Sequence, residues 1–125
     1  MLDISNTTRS PYPKTIPYEK ITDRVMGRKY ELSLVFCGEH LMRRLNRESR
    51  GKDYATNILS FPLSDNAGEI FICPAVCRKQ HKDFDRSLSN FVGFLFVHGL
   101  VHLKGHDHGA TMDRQEAKFR NEFGL

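Results

Sequence analysis

The sequence lacks tryptophan, and its unbroken apolar runs are all far shorter than the roughly 20 residues that a membrane-spanning helix needs. Its first residues do not follow the basic, apolar and small-residue order of a secretory signal peptide. No internal repeat and no shift in composition marks a domain boundary within the 125 residues. These absences predict a cytoplasmic protein with no membrane partner, folded as one domain over residues 1–125.

Cysteine is scarce, and the number of cysteines is odd. Cys37, Cys73 and Cys77 do not have the spacing of a zinc ribbon. We therefore expect reduced thiols that behave as small buried hydrophobic side chains.

The excess of positive charge is modest. The formal net charge is +4 and the isoelectric point is about 9.1. A polyanion such as RNA suits this balance, but many basic proteins bind no nucleic acid. The charge alone therefore does not identify the partner.

Histidine, in contrast, is concentrated in one stretch, FVGFLFVHGLVHLKGHDH at 91–108, which holds four of the six histidines. Residues 91–103 are apolar on every side apart from two glycines and two histidines. This pattern is typical of a helix that is buried all round. We expect it to be the central helix of the fold.

The histidine spacing predicts a catalytic metal site. His98 and His102 are four residues apart, so on a helix both imidazoles project from one face, about 6 Å apart along the axis. Gly105 is a typical helix end, after which the chain can return and supply His108 as a third ligand. Three histidines leave one coordination position for water, as in catalytic zinc sites. Zinc is the expected ion, although three imidazoles also suit nickel, copper or iron.

Two alternatives to this interpretation involve the same histidines. Their spacing, His-x3-His-x2-Gly-x2-His, is that of the metzincin proteases, in which the second position is the glutamate base. That position is Gly99 here. The histidine spacing therefore favours a metallopeptidase, whereas the missing base argues against one. The other alternative is a set of buried histidines with backbone partners. This alternative suits a single buried histidine, but it does not account well for four histidines within eleven residues.

The segment HGLVHLKGHDH resembles the H-G-x-L-H-L-x-G-Y-D-H signature of the YbeY family, bacterial metal-dependent endoribonucleases implicated in ribosomal RNA maturation. His106 replaces the usual tyrosine, and Val101 replaces the usual second leucine. Neither position is one of the three proposed ligands, although His106 adds a group that can compete for the metal or act as a base.

Two upstream blocks and one downstream pair extend the resemblance over residues 45–116. LNRESRGKDYATNILSFP is similar to the family's N-x3-R-x-K-D-x2-T-[DN]-V-L-S-F-P block. GEIFIC resembles its G-D-I-x-I strand, with Glu69 in place of the usual aspartate. Met112 and Glu116 resemble a Met-x3-Glu pair that follows the metal motif. The resemblance implies an α+β fold with a cleft between the sheet and the metal helix.

The fold class that we expect is α+β, a small mixed or mostly antiparallel sheet packed by helices around the central metal-bearing helix with its metzincin-like motif. The expected strands are a short edge strand near Leu2 and Ile4, 30–36, 57–61 stopped by Pro62, and 69–73. The expected helices are 18–27, 39–49, 74–81, the central helix capped by Asp85 or Ser87, and a last helix from Thr111 or Asp113 to Phe123.

The resemblance identifies Arg50 as the family arginine that lies near the metal and is thought to act in catalysis. A guanidinium on a phosphate is what phosphoryl-transfer chemistry needs. With Gly99 in place of a glutamate, the proton acceptor is a metal-bound hydroxide, Asp107, His106 or Glu116. Glu116 lies on the apolar stripe of the last helix. It therefore either meets a partner such as a ligand histidine or lies partly exposed at the edge of the stripe.

A basic helix face completes the prediction, either as an RNA-binding surface or as a solvated one. Its members are Arg43, Arg44, Arg47 and the nearby Lys52. We predict a zinc-dependent, single-strand-specific endoribonuclease in ribosomal RNA maturation and ribosome quality control. Its partners would be single-stranded or ribosomal RNA and the ribosome or its small-subunit proteins. Besides the metallopeptidase, the alternative is a non-catalytic RNA-binding assembly factor with a structural metal.

Overall fold

The structure, a computed structural model, describes residues 1–105 and 109–125. Its described strands are β1 (Leu2–Asn6), β2 (Glu31–Phe36), β3 (Ile58–Ser64) and β4 (Ala67–Ile72). They form one sheet in the order β1-β2-β4-β3. β2 pairs in parallel with β1 and β4, whereas β3 and β4 form an antiparallel hairpin. The sheet is mixed, and the mostly antiparallel alternative is wrong.

The described helices are α1 (Tyr18–Met26), α2 (Glu39–Arg50), α3 (Pro74–Gln80), α4 (Leu88–Leu103) and α5 (Ala110–Glu122). A 3₁₀ turn at His81–Phe84 follows α3. The α+β class is confirmed. Of the two expected caps of the central helix, Ser87 is the one used, since its Oγ accepts a hydrogen bond from the Asn90 backbone N–H at 3.1 Å. Asp85 instead ends the 3₁₀ turn in a left-handed conformation.

The sequence predicted that strand β3 would stop at Pro62. The strand instead continues to Ser64. β3 is an edge strand, where the missing N–H of a proline can face away from the sheet and remove no ladder bond. The pairing shifts register between Pro62 and Ser64, just after the proline. The proline therefore distorts the edge of the sheet and does not end the strand.

Helix α4 is the centre of the core, as expected. Nine of its 16 residues are buried. It contacts the sheet through β3 and β4, and it also packs against α1, α3 and α5. Alternate residues of β2 face this core, and the opposite face of the sheet packs on a second apolar cluster that includes Met42 of α2. Two helical layers thus enclose the sheet.

Helix α4 lies close to the sheet at Gly99. A Cβ on this residue would lie 2.9 Å from Ile58 Cδ1, 2.9 Å from Ser60 Oγ and 3.1 Å from Ile70 Cδ1. Real Cβ atoms essentially never make contacts below 3.0 Å, so the Ile58 and Ser60 side chains would have to shift. The position that carries glutamate in the metzincin proteases is therefore tightly packed here.

The three cysteines are free and buried, which confirms that they act as small core side chains. Burial, helped by the neighbouring Cys73, raises the pKa of Cys37 and Cys77 to about 12. Within the described ranges, no helix is both long and apolar enough to cross a membrane.

We expect Gly99→Glu to lower the free energy of unfolding by about 3 kcal/mol, because the new side chain displaces the packed Ile58 and Ser60 side chains and buries an unpaired carboxylate. Urea denaturation measures the change. Asn121→Glu, at an exposed position of α5, is the control and should stay within about 0.5 kcal/mol of the unaltered protein. Equal stabilities of the two variants would contradict the close packing at Gly99.

We also expect the native thiols to react with a disulfide reagent at pH 8 orders of magnitude more slowly than those of the unfolded chain. Because the folded pKa of Cys37 and Cys77 is raised from its ordinary value near 9, the protonated thiols stabilise the fold. This stabilisation is complete below about pH 8.5 and is lost as the pH rises towards 12. The unfolding free energy should therefore fall over that range, and less steeply in Cys37→Ala/Cys77→Ala. Rapid labelling of the native protein at pH 8 would contradict the burial of the thiols.

Candidate active site

A cleft with a volume of about 640 Å³ opens between the end of α2, strand β3 and helix α4. Arg50 and Ser49 contribute from α2, and His98 and His102 from α4. The rest of the lining comes from the loop residues Thr56 and Asn57 and from the first half of β3. The sheet and the histidine-bearing helix therefore enclose a cleft, as the family resemblance implied.

The two helical histidines of the predicted metal site lie side by side in this cleft. Their ring centroids are 6.4 Å apart, and the ring planes are within 15° of parallel. His102 is exposed and His98 is partly buried. The third predicted ligand, His108, lies outside the described residues together with His106 and Asp107, so the roles of these three stay predictions. In the described part of the chain, no group of three or more His, Cys, Asp or Glu side chains is arranged to hold a metal.

Glu116 is behind the cleft, in contact with His98. Helix α5 buries a face that consists of Met112, Glu116 and Phe119, and Glu116 is only 8% exposed. Its Oε1 forms a short hydrogen bond with Nδ1 of His98. Of the two alternatives for Glu116, the structure has the buried, partnered one. A carboxylate on Nδ1 fixes the orientation of the ring, and the same contact is found in the usual carboxylate–histidine–metal arrangement.

Arg50 is the last residue of α2 and lies at the rim of the same cleft. The helix ends there because Gly51 adopts a left-handed conformation with φ of 68°, which favours glycine. None of the ion pairs among the described residues involves Arg50. Arg50 is exposed in the same cleft as the histidines and forms no ion pair with a carboxylate of residues 1–105 or 109–125.

The other predicted RNA-binding residues do not line this cleft. Nε and Nη2 of Arg43 donate to the two carboxylate oxygens of Asp53 at 2.9 and 3.0 Å, and Arg47 lies 3.5 Å from the same group. The hydrogen bond from Arg43 lowers the pKa of Asp53. Arg44 and Lys52 are exposed. The basic face is thus partly neutralised, and its role in RNA binding stays a prediction.

Sequence reasoning missed the residues that hold one wall of the cleft. Asn46 is fully buried in α2, and its Nδ2 donates to the Tyr54 carbonyl at 2.8 Å. Asn57 donates to Oε1 of Gln80 in α3 at 3.0 Å. These two bonds fix the loop between α2 and β3. The available signal was Asn46 itself, a polar residue four positions after Met42 on the apolar face of α2.

An α+β fold with two histidines on its central helix, a carboxylate in contact with one of them and an arginine without an ion pair among the described residues is suited to a hydrolase that acts on an anionic substrate. The family model of Endoribonuclease YbeY matches residues 4–123, and the chain belongs to this family. Endonucleolytic hydrolysis of RNA is the activity that the family name describes.

Individual relatives agree with this assignment. An Endoribonuclease YbeY of Alkaliphilus metalliredigens is 39% identical over 77% of this chain and 69% of its own length. One from Helicobacter pylori is 34% identical over 94% of this chain and 86% of its own length. The chain spans only 54% to 65% of the length of several other curated relatives.

A protein of Thermotoga maritima, whose structure was determined in solution, is similar in fold. The TM-score is 0.67, and the match covers 98% of this chain and 89% of the other at 24% identity. At this identity the similarity concerns the fold alone.

Proposed function

We propose that this chain is a metal-dependent, single-strand-specific endoribonuclease that acts in ribosomal RNA maturation and ribosome quality control. Residues 1–125 would form one cytoplasmic hydrolase domain whose partners are ribosomal RNA and the ribosome or its small-subunit proteins. The observation that carries the proposal is the cleft that Arg50 lines together with His98 and His102, with no ion pair to Arg50 from the residues that the structure describes. Membership of the endoribonuclease family supports RNA as the substrate.

One divalent metal ion, zinc by its donor chemistry, would be held by His98, His102 and His108. The described residues fit this ion because two imidazoles line one cleft and a carboxylate, that of Glu116, contacts Nδ1 of His98, as is usual for histidines that bind a metal. When bound, such an ion supplies Lewis-acid polarisation and activation of water. Nickel, copper or iron would suit the same donors.

Arg50 would bind the non-bridging oxygens of the scissile phosphate. A guanidinium presents several donors in one plane, which matches a phosphate better than a lysine ammonium does. As the phosphorus becomes pentavalent, negative charge increases on these oxygens, and a preorganised cation stabilises that charge more than it stabilises the bound substrate. Glu116 would hold the His98 ring in place, and Asp107 or His106 would move protons.

The basic face of α2 would bind flanking phosphates. Arg44 and Lys52 are exposed for this purpose, and Arg43 and Arg47 can exchange Asp53 for a phosphate because exposed ion pairs contribute little stability. The metallopeptidase alternative is weakened by Gly99, which has no side chain to act as the base and is closely packed against the Ile58 and Ser60 side chains.

We expect Arg50→Ala to slow single-turnover cleavage of a small-subunit ribosomal RNA 3′ fragment by about 10²- to 10³-fold, the usual cost of one transition-state donor. His102→Ala, prepared identically, should lose both activity and bound metal. Arg9→Ala, an exposed arginine next to the opposite edge strand, is the matched control and should cut like the unaltered protein. If all four preparations cut alike, or none cuts, the non-catalytic assembly-factor interpretation replaces this proposal.

Glu116→Ala should lower zinc affinity by about 10- to 100-fold, because His98 loses the carboxylate that fixes its ring. Competition with a chromophoric chelator measures this affinity without any activity assay. Glu19→Ala, an exposed glutamate in α1, should bind zinc like the unaltered protein. Equal affinity in both variants would mean that Glu116 has only a packing role.

A further inference from the structure

Helices α4 and α5 run in opposite directions, and their side chains meet in successive pairs. The guanidinium carbon of Arg120 lies 5.0 Å from the centre of the Phe94 ring, and one turn further along α4 Glu116 contacts His98. Phe94 and His98 are four residues apart, hence about 6 Å apart along the axis and roughly 40° around it. The Phe94 pair therefore adjoins the site proposed above.

A second arginine lies over the same ring. The Arg86 guanidinium carbon is 4.3 Å from the Phe94 centroid, and its Nη1 donates a short hydrogen bond to the Asn90 side chain. Nε of Arg120 is 3.4 Å from the Glu116 carbonyl oxygen. Both arginines are only partly exposed. Stacking and hydrogen bonds thus hold two cations in place on one aromatic ring.

The two cations repel each other. Their distances to the shared ring put the guanidinium carbons no more than about 9 Å apart, within the screening length of about 10 Å in 0.1 M salt. Burial, and then the charge of Arg120, lower the pKa of Arg86. Stacking on an aromatic ring offsets only part of such a repulsion.

No carboxylate neutralises this pair among residues 1–105 and 109–125. Arg24, Arg43 and Arg47 all form ion pairs, whereas Arg86 and Arg120 form none. The carboxylate of Glu116, one helical turn before Arg120 on α5, is engaged by His98. Two fixed guanidinium groups beside one ring, with no ion pair among the described residues, suit a bound anion with several oxygens.

We propose that Arg86 and Arg120 bind a backbone phosphate of single-stranded RNA, adjacent to the phosphate at His98. This inference rests on the proposed function. The spacing of one helical turn between Phe94 and His98 is comparable to that of neighbouring phosphates along a strand. The RNA path would then continue from the cleft along the groove between α4 and α5.

The test is the salt dependence of binding, measured by fluorescence anisotropy with a 2′-O-methyl oligonucleotide that a gel shows to stay intact. Arg86→Gln/Arg120→Gln should weaken binding about 10-fold or more and reduce the slope of log K against log salt by roughly 0.7 for one lost phosphate contact. Arg86→Lys/Arg120→Lys keeps both charges and should retain the slope. Arg9→Gln/Arg28→Gln removes the same charge from exposed positions elsewhere and should bind like the unaltered protein.

A second measurement uses the unaltered protein and does not depend on how the variants fold. A neutral methylphosphonate linkage, moved stepwise along the oligonucleotide, should weaken binding several-fold at one position next to the cleavage site. In Arg86→Gln/Arg120→Gln, the neutral linkage at that position should no longer weaken binding. The absence of any such position would overturn the proposal.

The remaining outcomes separate this proposal from the proposed function. One outcome is that the unaltered protein binds and cuts RNA while Arg86→Gln/Arg120→Gln binds RNA equally well with the same salt slope. That result overturns the phosphate site at the two arginines and leaves the proposed function in place. If the unaltered protein neither binds nor cuts, both proposals fail. If polyglutamate competes as well as the oligonucleotide, and only when both arginines are present, the site binds an acidic polypeptide and the assignment to RNA is overturned.

Discussion

The close packing of helix α4 on the hairpin of β3 and β4 is the constraint on which the rest of the structure depends. Gly99 allows it, because any side chain there would meet Ile58, Ser60 and Ile70 within about 3 Å. A helix this close to the sheet buries three of its sides and leaves one stripe for chemistry. His98 immediately precedes the glycine, so the packing that forms the core also brings the first histidine to the rim of the cleft.

The second constraint is the burial of a carboxylate on α5. Glu116 is nearly buried, and a buried carboxylate is costly without a hydrogen-bond partner. His98 supplies that partner, so one contact stabilises the packing of α5 on α4 and orients an imidazole. Stability and function therefore depend on the same bond. Gly99 and Glu116 act at different faces of α4, one by having no side chain and the other by having a charged one.

Much of this could be predicted because it depends on local pattern. Apolar periodicity predicted α4, the four-residue spacing predicted that His98 and His102 share a face, and the family resemblance assigned Arg50, which lines the cleft. What failed depends on contacts that are distant in sequence. Pro62 was expected to end β3, but its edge position, which only the strand order shows, lets the strand continue. The pairing of Arg43 with Asp53 and the stacking of Arg86 and Arg120 on Phe94 likewise become visible only in three dimensions.

The arginines show why charge in a sequence is a poor guide to binding. Arg43 and Arg47 belong to the basic stripe, yet a shared carboxylate already satisfies them. Arg50 has the same charge and lies on the same helix, but it points into a cleft without a counter-ion among the described residues. An arginine binds an external phosphate strongly where the fold has fixed its position and withheld an internal partner, because no existing ion pair must then be broken and little side-chain entropy is lost on binding. By that criterion the anionic ligand should follow the unpaired arginines around the histidines, and the density of positive charge along α2 is secondary.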